Sequence, residues 1–555
     1  MKCATEKLFG AGTASRLRTL FNETKNAYVR LNIPTACPPR AASRSTQGRG
    51  FSNLFHLSTP DSPSVGYMYN LGNQRTQEVF TAGNYMGYAY DNIGQLKTAF
   101  GKEPGGTTNR MQEQLGYFYD AAGNLNYRTN NALVQTFGVN NLNELTSIGR
   151  SGTLTVAGTT TSAATNVTVN TSNAVLYVDN TFASTNQTLT LGTNTFTAIA
   201  RDSYGRVDTN TVSPSLPLTD NMDFDLNGNL LQERSTIGGT NRVFAYDAEN
   251  ELIAVWVTNT WKSEFTYDGK KRRRIRKEYT WNGTWLQTNE VHYVYDGNVV
   301  IQERDGSNLP QVTYTRARDL SGSLQGAGGI GGLLARTANS LTLSPQTSIF
   351  ATAFYHADGN GNVTCLIYTN QQIAAKYEYD PYGNILSQSG LLAEMNLYRF
   401  SGKEYNTASG LIYYLYRYCD PNLQRWINRD PQGEFGGLNL YGFVGNNGIN
   451  KVDIDGRSWK TCGDCAKAIA RLAKANFRLN LLLTEAAINI KGTGLDANHI
   501  KNINDAMTQV NDAMRAVVQY CGGYAEAAGL LAAAAALLTE AAAIVAAVVA
   551  APAGA

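Results

Sequence analysis

The sequence predicts a mainly β protein: a long coiling sheet of antiparallel hairpins, an inserted Ig-like β-sandwich and a short α-helical C-terminal region. Three observations predict it. A pattern of aromatic-x-Tyr-Asp-x-x-Gly-Asn-apolar recurs along most of the chain. The 53 glycines and 31 tyrosines, set against only 16% charged residues, favour strands and turns over helices. After residue 457 the Tyr-, Gly-, Asn- and Thr-rich text gives way to alanine-rich segments with helical spacing.

The repeat is YMYNLGNQR (67–75), YAYDNIGQL (88–96), YFYDAAGNL (117–125), FDLNGNL (224–230), FAYDAENEL (244–252), FTYDGKKRR (265–273), YVYDGNVV (293–300) and YEYDPYGNI (377–385), with looser copies at 137–145 and 354–363. Side chains alternate along a strand, so aromatic-x-Tyr places two rings on one face. Asp then bonds back to the backbone, Gly or Asn tolerates positive φ, and the chain returns antiparallel. Each unit is a hairpin, and stacked hairpins build a sheet whose units touch mainly their neighbours. A structural role explains these tyrosines and aspartates; catalysis is not needed.

Residues 150–216 break the pattern. TLTVAG, NVTVN, AVLYVD, TLTLGTNTFTAIARD and TNTVSPSLP alternate over short runs separated by Gly, Asn and Ser, which reads as an Ig-like sandwich acting as a spacer or adhesive module. Residues 1–50 carry no assignable pattern. They also lack an apolar run with a small-residue cleavage site, so no Sec signal is visible as written.

A chain of 555 residues with 43% apolar content is large enough for several units with real cores. A formal net charge of +3 gives no reason to expect a nucleic-acid partner. Seven scattered cysteines make no disulfide framework, and four isolated histidines make no zinc site or His-based triad, so neither metal nor cofactor is expected. GAGGIG (326–331) lacks the strand–helix setting and downstream acid of a dinucleotide site and reads as a glycine turn. KKRRRIRK (270–277) follows FTYDG directly, so it reads as a solvated or lumen-facing strand rather than a phosphate patch. Cys462-Gly463-Asp464-Cys465 is a lone CxxC opening a helix, with no second ligand pair.

Beyond Ser458, AKAIARLAKANFRLNLLLTEAAINI and DANHIKNINDAMTQVNDAMRAVVQY have amphipathic helical spacing, with Asp496 as N-cap of the second. In 527–551 the only ionisable residue is Glu540. That stretch is long enough to span a bilayer, yet alanine favours membranes weakly and the central acid costs about 2.5–3.5 kcal/mol. Membrane contact and burial in a helical bundle both remain open.

The repeats resemble the YD repeats of the Rhs (rearrangement hotspot) family over roughly 60–149 and 217–457. YRFSGKEYNTASGLIYYLYRYCDPNLQRWINRDPQGEFGGLNLYGFVGNNGINKVDIDG (398–456) is similar to the Rhs repeat-associated core. The resemblance implies that the coiling sheet is a hollow YD-repeat β-shell plugged at one end by the core. It divides the chain into repeat strands 51–149, the insert 150–216, shell 217–397, core 398–457 and a variable helical passenger 458–555. It also implies an aspartyl autoprotease formed by two Asp-Pro-x-Gly turns, cutting just after the second and leaving the passenger inside the shell. The matching residues here are Asp430 and Asp453, 23 apart, with Arg417 in the position of the family's arginine. Two carboxylates in one site hold one proton between them: the charged one activates water and the protonated one polarises the scissile carbonyl. The chain departs from the family at Ile454, which replaces the second turn's proline, at Gly456-Arg457 in place of Gly-Leu, and at the extra acid Asp455.

The implied function is a polymorphic-toxin shell that encloses and releases its passenger, secreted or surface-exposed by a route other than a visible Sec signal. Its implied partners are its own passenger, secretion machinery and an immunity protein, with membrane contact through 527–551 and no nucleic acid. A non-catalytic cell-surface or adhesion YD-repeat protein, or a fragment of a longer Rhs chain, fits the same residues.

Overall fold

The computed structural model describes residues 17–18, 66–160, 162–235, 241–338, 352–457, 459–460, 462–490, 497–521 and 525–550. Most of residues 1–50 therefore lies outside the described residues. The exception is Leu17–Arg18, which pairs with Thr159 and Thr160.

One antiparallel ladder runs hairpin to hairpin from Gly66–Tyr69 to Leu145–Thr160, and from Thr219–Phe224 to Ile385–Ser389. The two stretches join directly, because Thr219, Asp220 and Asn221 pair with Gly149, Ile148 and Ser147. The repeat turns work as their chemistry predicts. Asp120 Oδ1 accepts the N–H groups of Ala122 (2.9 Å) and Asn124 (2.8 Å), and Gly123 takes φ +76°. Asp91, Asp247, Asp268, Asp305, Asp358 and Asp380 repeat this Asx geometry.

The repeat tyrosine has a second role, between hairpins. Its hydroxyl donates to the carbonyl of the first residue after the preceding unit's turn: Tyr119 to Leu96 (3.0 Å), Tyr267 to Leu252 (2.7 Å), Tyr295 to Arg273 (2.8 Å) and Tyr379 to Val363 (2.6 Å). A bulge beside each tyrosine turns the ring toward that carbonyl. Each unit is thus tied to its predecessor by side chain as well as by ladder. Tyr379→Phe should cost about 1 kcal/mol, the net worth of one such bond, and denaturant unfolding measures it.

The insert is continuous with the sheet. Strand Leu145–Thr160 pairs with shell strands up to Gly152, then with Thr181–Thr188 of the insert. A four-stranded sheet containing Asn166–Val169, Phe196–Arg201 and Val207–Val212 completes the insert over a core of Leu154, Val156, Val167, Phe182 and Phe196. Arg110 of the shell is fully buried against it, bonding Asp179 and Thr181 and lying 4.4 Å from the Tyr177 ring centroid. The insert is therefore packed on the shell and does not hang clear as a spacer.

Residues 398–457 form short bridges and turns that pack on the inner side of the repeats. Phe400, Tyr405, Tyr414, Trp426 and Phe443 share one core with Leu96, Leu125, Leu145, Leu230, Leu252 and Phe265 of the sheet. Polar ties ring this plug: Asn446 bonds Gln95 and the Gly123 carbonyl, Tyr441 bonds the Gly228 carbonyl, and Arg242 pairs with Asp420. The basic strand takes part, since Arg273 and Arg276 are buried and pair with Glu404 of the plug, whereas Arg274 faces solvent. Far-ultraviolet circular dichroism of residues 51–457 should accordingly be dominated by β-structure.

Three helices follow: α1 (Cys462–Ile490), α2 (Ala497–Cys521) and α3 (Ala525–Ala550). They share their own core, with Leu472, Leu479, Ile503, Val510, Ala534 and Ala541 buried together. No described helix is long and apolar enough to cross a membrane. In α3, Ala534 and Ala541 supply close-packed positions in the bundle, whereas Ala532, Ala533, Ala535, Ala536, Ala542 and Ala543 are exposed. The CxxC begins α1, but its side chains lie outside the described residues.

Candidate active site

The plug brings the two acidic turns to one place. Asp430-Pro431-Gln432-Gly433 closes as a tight turn, with the Gly433 N–H donating to the Asp430 carbonyl (2.9 Å) and Gly433 at φ +60°. Asp430 Oδ1 accepts the Gln432 N–H (2.8 Å), which leaves Oδ2 to receive Arg417 Nη2 at 2.7 Å. Asp453 caps the second turn in the same way, its Oδ1 accepting the N–H groups of Asp455 (3.1 Å) and Gly456 (2.7 Å). The chain then folds back, pairing Val452 with Lys460 and Asp453 with Trp459. Residues 454–457 thereby lie at the tip of a hairpin against the plug.

Arg417 joins the parts. Its guanidinium lies 4.3 Å from the Trp426 ring centroid, donates through Nη1 to the Leu440 carbonyl (3.1 Å) and through Nε to the Gly456 carbonyl, and pairs with Asp430. Gly456, at φ +86°, admits this approach: a Cβ there would sit 3.1 Å from Arg417 N and 3.2 Å from Tyr414 Cβ. Gly436 makes a second opening. A Cβ on it would lie 2.5 Å from Asp430 Oδ2 and 3.3 Å from the Arg457 carbonyl oxygen, so that carbonyl and the Asp430 carboxylate both border one vacant side-chain position.

Electrostatics separates the two acids. Asp453 is 2% exposed, and burial raises its carboxyl to about 6; Asp455 adds to the rise, while Arg417 and the two N–H donors oppose it. Burial also raises Asp430, but a direct guanidinium pair and the Gln432 N–H oppose that rise. Burial thus raises both carboxyls, and Asp430 is the one in direct contact with the Arg417 guanidinium. The extra acid Asp455 turns away to Arg457 (2.6 Å), which lies over the Tyr416 ring. Arg417, Asp430 and Asp453, expected from sequence, meet here.

Sequence reasoning missed Lys403. Partly buried, it donates through Nζ to the Ile454 carbonyl (2.7 Å) and the Gly328 carbonyl (2.9 Å). A lysine inside SGKEY, among residues otherwise destined for the core, was the available signal. Among the described residues no group of His, Cys, Asp or Glu could hold a metal ion.

No protein-family model matches the chain. Among curated proteins, the chain is 30% identical over 245 residues to the tRNA3(Ser)-specific nuclease WapA of Bacillus spizizenii, an alignment covering 43% of this chain and 9% of that protein. It is 38% identical over 109 residues to the toxin subunit YenC2 of Yersinia entomophaga, covering 19% of this chain and 11% of the relative. Among solved structures, a Tc holotoxin pore of Photorhabdus luminescens aligns with 71% of this chain and 19% of its own at 20% identity, with a TM-score of 0.36. The matched relatives thus include toxin components, and the chain spans about a tenth of the length of these two curated proteins.

Proposed function

We propose that this chain is a Rhs/YD-repeat toxin-shell protein that cuts itself once, between Arg457 and Ser458, and carries residues 458–555 as a non-covalently retained passenger. The sequence similarity to toxin components supports the family reading. The observation that carries the self-cleavage reading is that the Arg457 carbonyl and Asp430 border the same vacant position beside Gly436, with Arg417 bridging that carboxylate and the Gly456 carbonyl.

In this reading, ionised Asp430 takes a proton from the water that attacks the Arg457 carbonyl carbon. Protonated Asp453, paired with Trp459 across the hairpin, donates to the departing Ser458 amine. Arg417 keeps Asp430 anionic and lends positive charge to the tetrahedral intermediate. The separate core of α1–α3 supports a passenger that stays folded after the cut. We carry the Ig-like description of 150–216 as part of the same proposal.

The experiment is electrophoresis of the purified chain. Denaturing conditions should give two bands, and native conditions one species. One band in both would refute self-cleavage.

A raised carboxyl pKa contributes stability below the unfolded value and loses it as pH rises through the folded one. The same loss of the Asp453 proton removes the acid, so cutting after a pH jump should decline as pH rises through about 6. Asp455→Asn should still cut. Because Asp455 helps hold the Asp453 carboxyl up, its loss should move that decline to lower pH.

A second reading, a plugged shell end that does not enclose its passenger, is favoured by one observation. Arg110, Gln112, Glu113, Glu378 and Ser387 are buried, so this coil fills its interior with its own side chains. Protease digestion of the cut complex separates the readings, since an enclosed passenger resists and an outer one is degraded.

A further inference from the structure

Lys403 and the glycine turn 326–331 are the features next to the site that the mechanism leaves unused. Lys403 is partly buried, and its Nζ donates to the carbonyls of Ile454 at 2.7 Å and Gly328 at 2.9 Å, with the Tyr414 ring centroid 5.6 Å away. Gly328 takes φ +63°, and a Cβ on it would fall on the Ile454 carbonyl oxygen. Ile454 immediately follows Asp453 and stands where the family's turn carries proline, so neither a fixed φ nor a ring holds this turn. The lysine and the glycine turn clamp its backbone from the other side.

We propose that Lys403 is a positioning residue for the cut, holding the Ile454 carbonyl so that the turn from Asp453 to Arg457 stays seated against Arg417 and Asp430. The inference rests on the self-cleavage reading. Taking an ammonium even partly out of water is costly, so its placement on two backbone carbonyls points to a specific contact. Small displacements of a reacting group cost large factors in rate. The charge has a second effect. Lys403 is faced by Asp455 and Asp453 as attracting groups, by Arg316 as a repelling one, and by Asp319; burial lowers its amine to about 8. Around pH 6 it is therefore protonated and favours the anion of Asp453.

The test uses the full chain, released from cell-free synthesis into buffers of varied pH, with the 98-residue product followed over time. Lys403→Met should slow the cut by about ten- to a hundredfold. It should also move the alkaline decline to higher pH, because Asp453 loses a favourable positive charge. Unchanged rate, or slowing with no movement of the decline, would overturn the assignment, since a cation seated beside the reacting turn must move the titration of Asp453 when it is removed. If circular dichroism shows that Lys403→Met does not fold, Gly328→Ala decides the matter: it keeps the charge and displaces the same carbonyl. Cutting by that variant should be slowed with the decline in place, and cutting at full rate would overturn the proposal. A wild-type chain that never cuts refutes the self-cleavage reading itself, and the role of Lys403 with it.

Discussion

Asp453→Asn leaves a folded chain that stays whole. The amide keeps the Oδ1 acceptor for the Asp455 and Gly456 N–H groups, so the turn survives. It removes the proton that the proposed mechanism gives to the departing amine. General acid–base catalysis contributes about 10²–10⁴ in rate, and a loss of that size should leave no product on the timescale of expression. The variant should be no less thermally stable than wild type at pH 7.5, where the native site pays for an ionised carboxylate in a buried position. Loss of cutting together with loss of stability would indicate a structural aspartate instead. Asp430→Asn should also stay whole, because an amide cannot take the proton from water. Normal cutting in either variant would remove that residue from the mechanism.

Arg417→Met carries the second large effect, and on both properties. The guanidinium is buried with Asp430, and removing one partner of such a pair costs about 3–5 kcal/mol because the other charge is stranded. The Gly456 and Leu440 carbonyls lose their donor as well. Cutting should cease and the denaturation midpoint should fall. The double variant Arg417→Met with Asp430→Asn should recover part of the lost stability without recovering cutting. A thermal melt and a gel of the two variants check this together; full cutting by Arg417→Met would contradict its assigned role.

The hairpin unit was legible because its signals are local. Aspartate, glycine and the alternating aromatics specify the turn and the strand face within ten residues, and the turns around Asp91, Asp120 and Asp380 form as read. Arg417, Asp430 and Asp453 were legible only through resemblance, since nothing in their spacing says that Gly436 and Gly456 clear space for them. What stayed hidden is non-local. The tyrosine hydroxyls reach carbonyls of the previous unit, which no single repeat reveals. Strand Leu145–Thr160 changes partner midway, which no local pattern reveals, so the insert read as a spacer or adhesive module. The buried pairing of Arg273 and Arg276 with Glu404 depends on the plug's arrival, as does the contact of Lys403 with Gly328, 75 residues away. The Asp455 side chain could not be assigned from sequence either, because its pairing with Arg457 follows from the direction of the hairpin tip.

Self-cleavage after Arg457 is the central claim, and the intact mass of the purified chain under denaturing conditions tests it most directly. The account predicts two polypeptides, one ending at Arg457 and one of 98 residues beginning at Ser458, both of them absent from Asp430→Asn and Asp453→Asn preparations. A single mass for all 555 residues in the wild-type chain would contradict it.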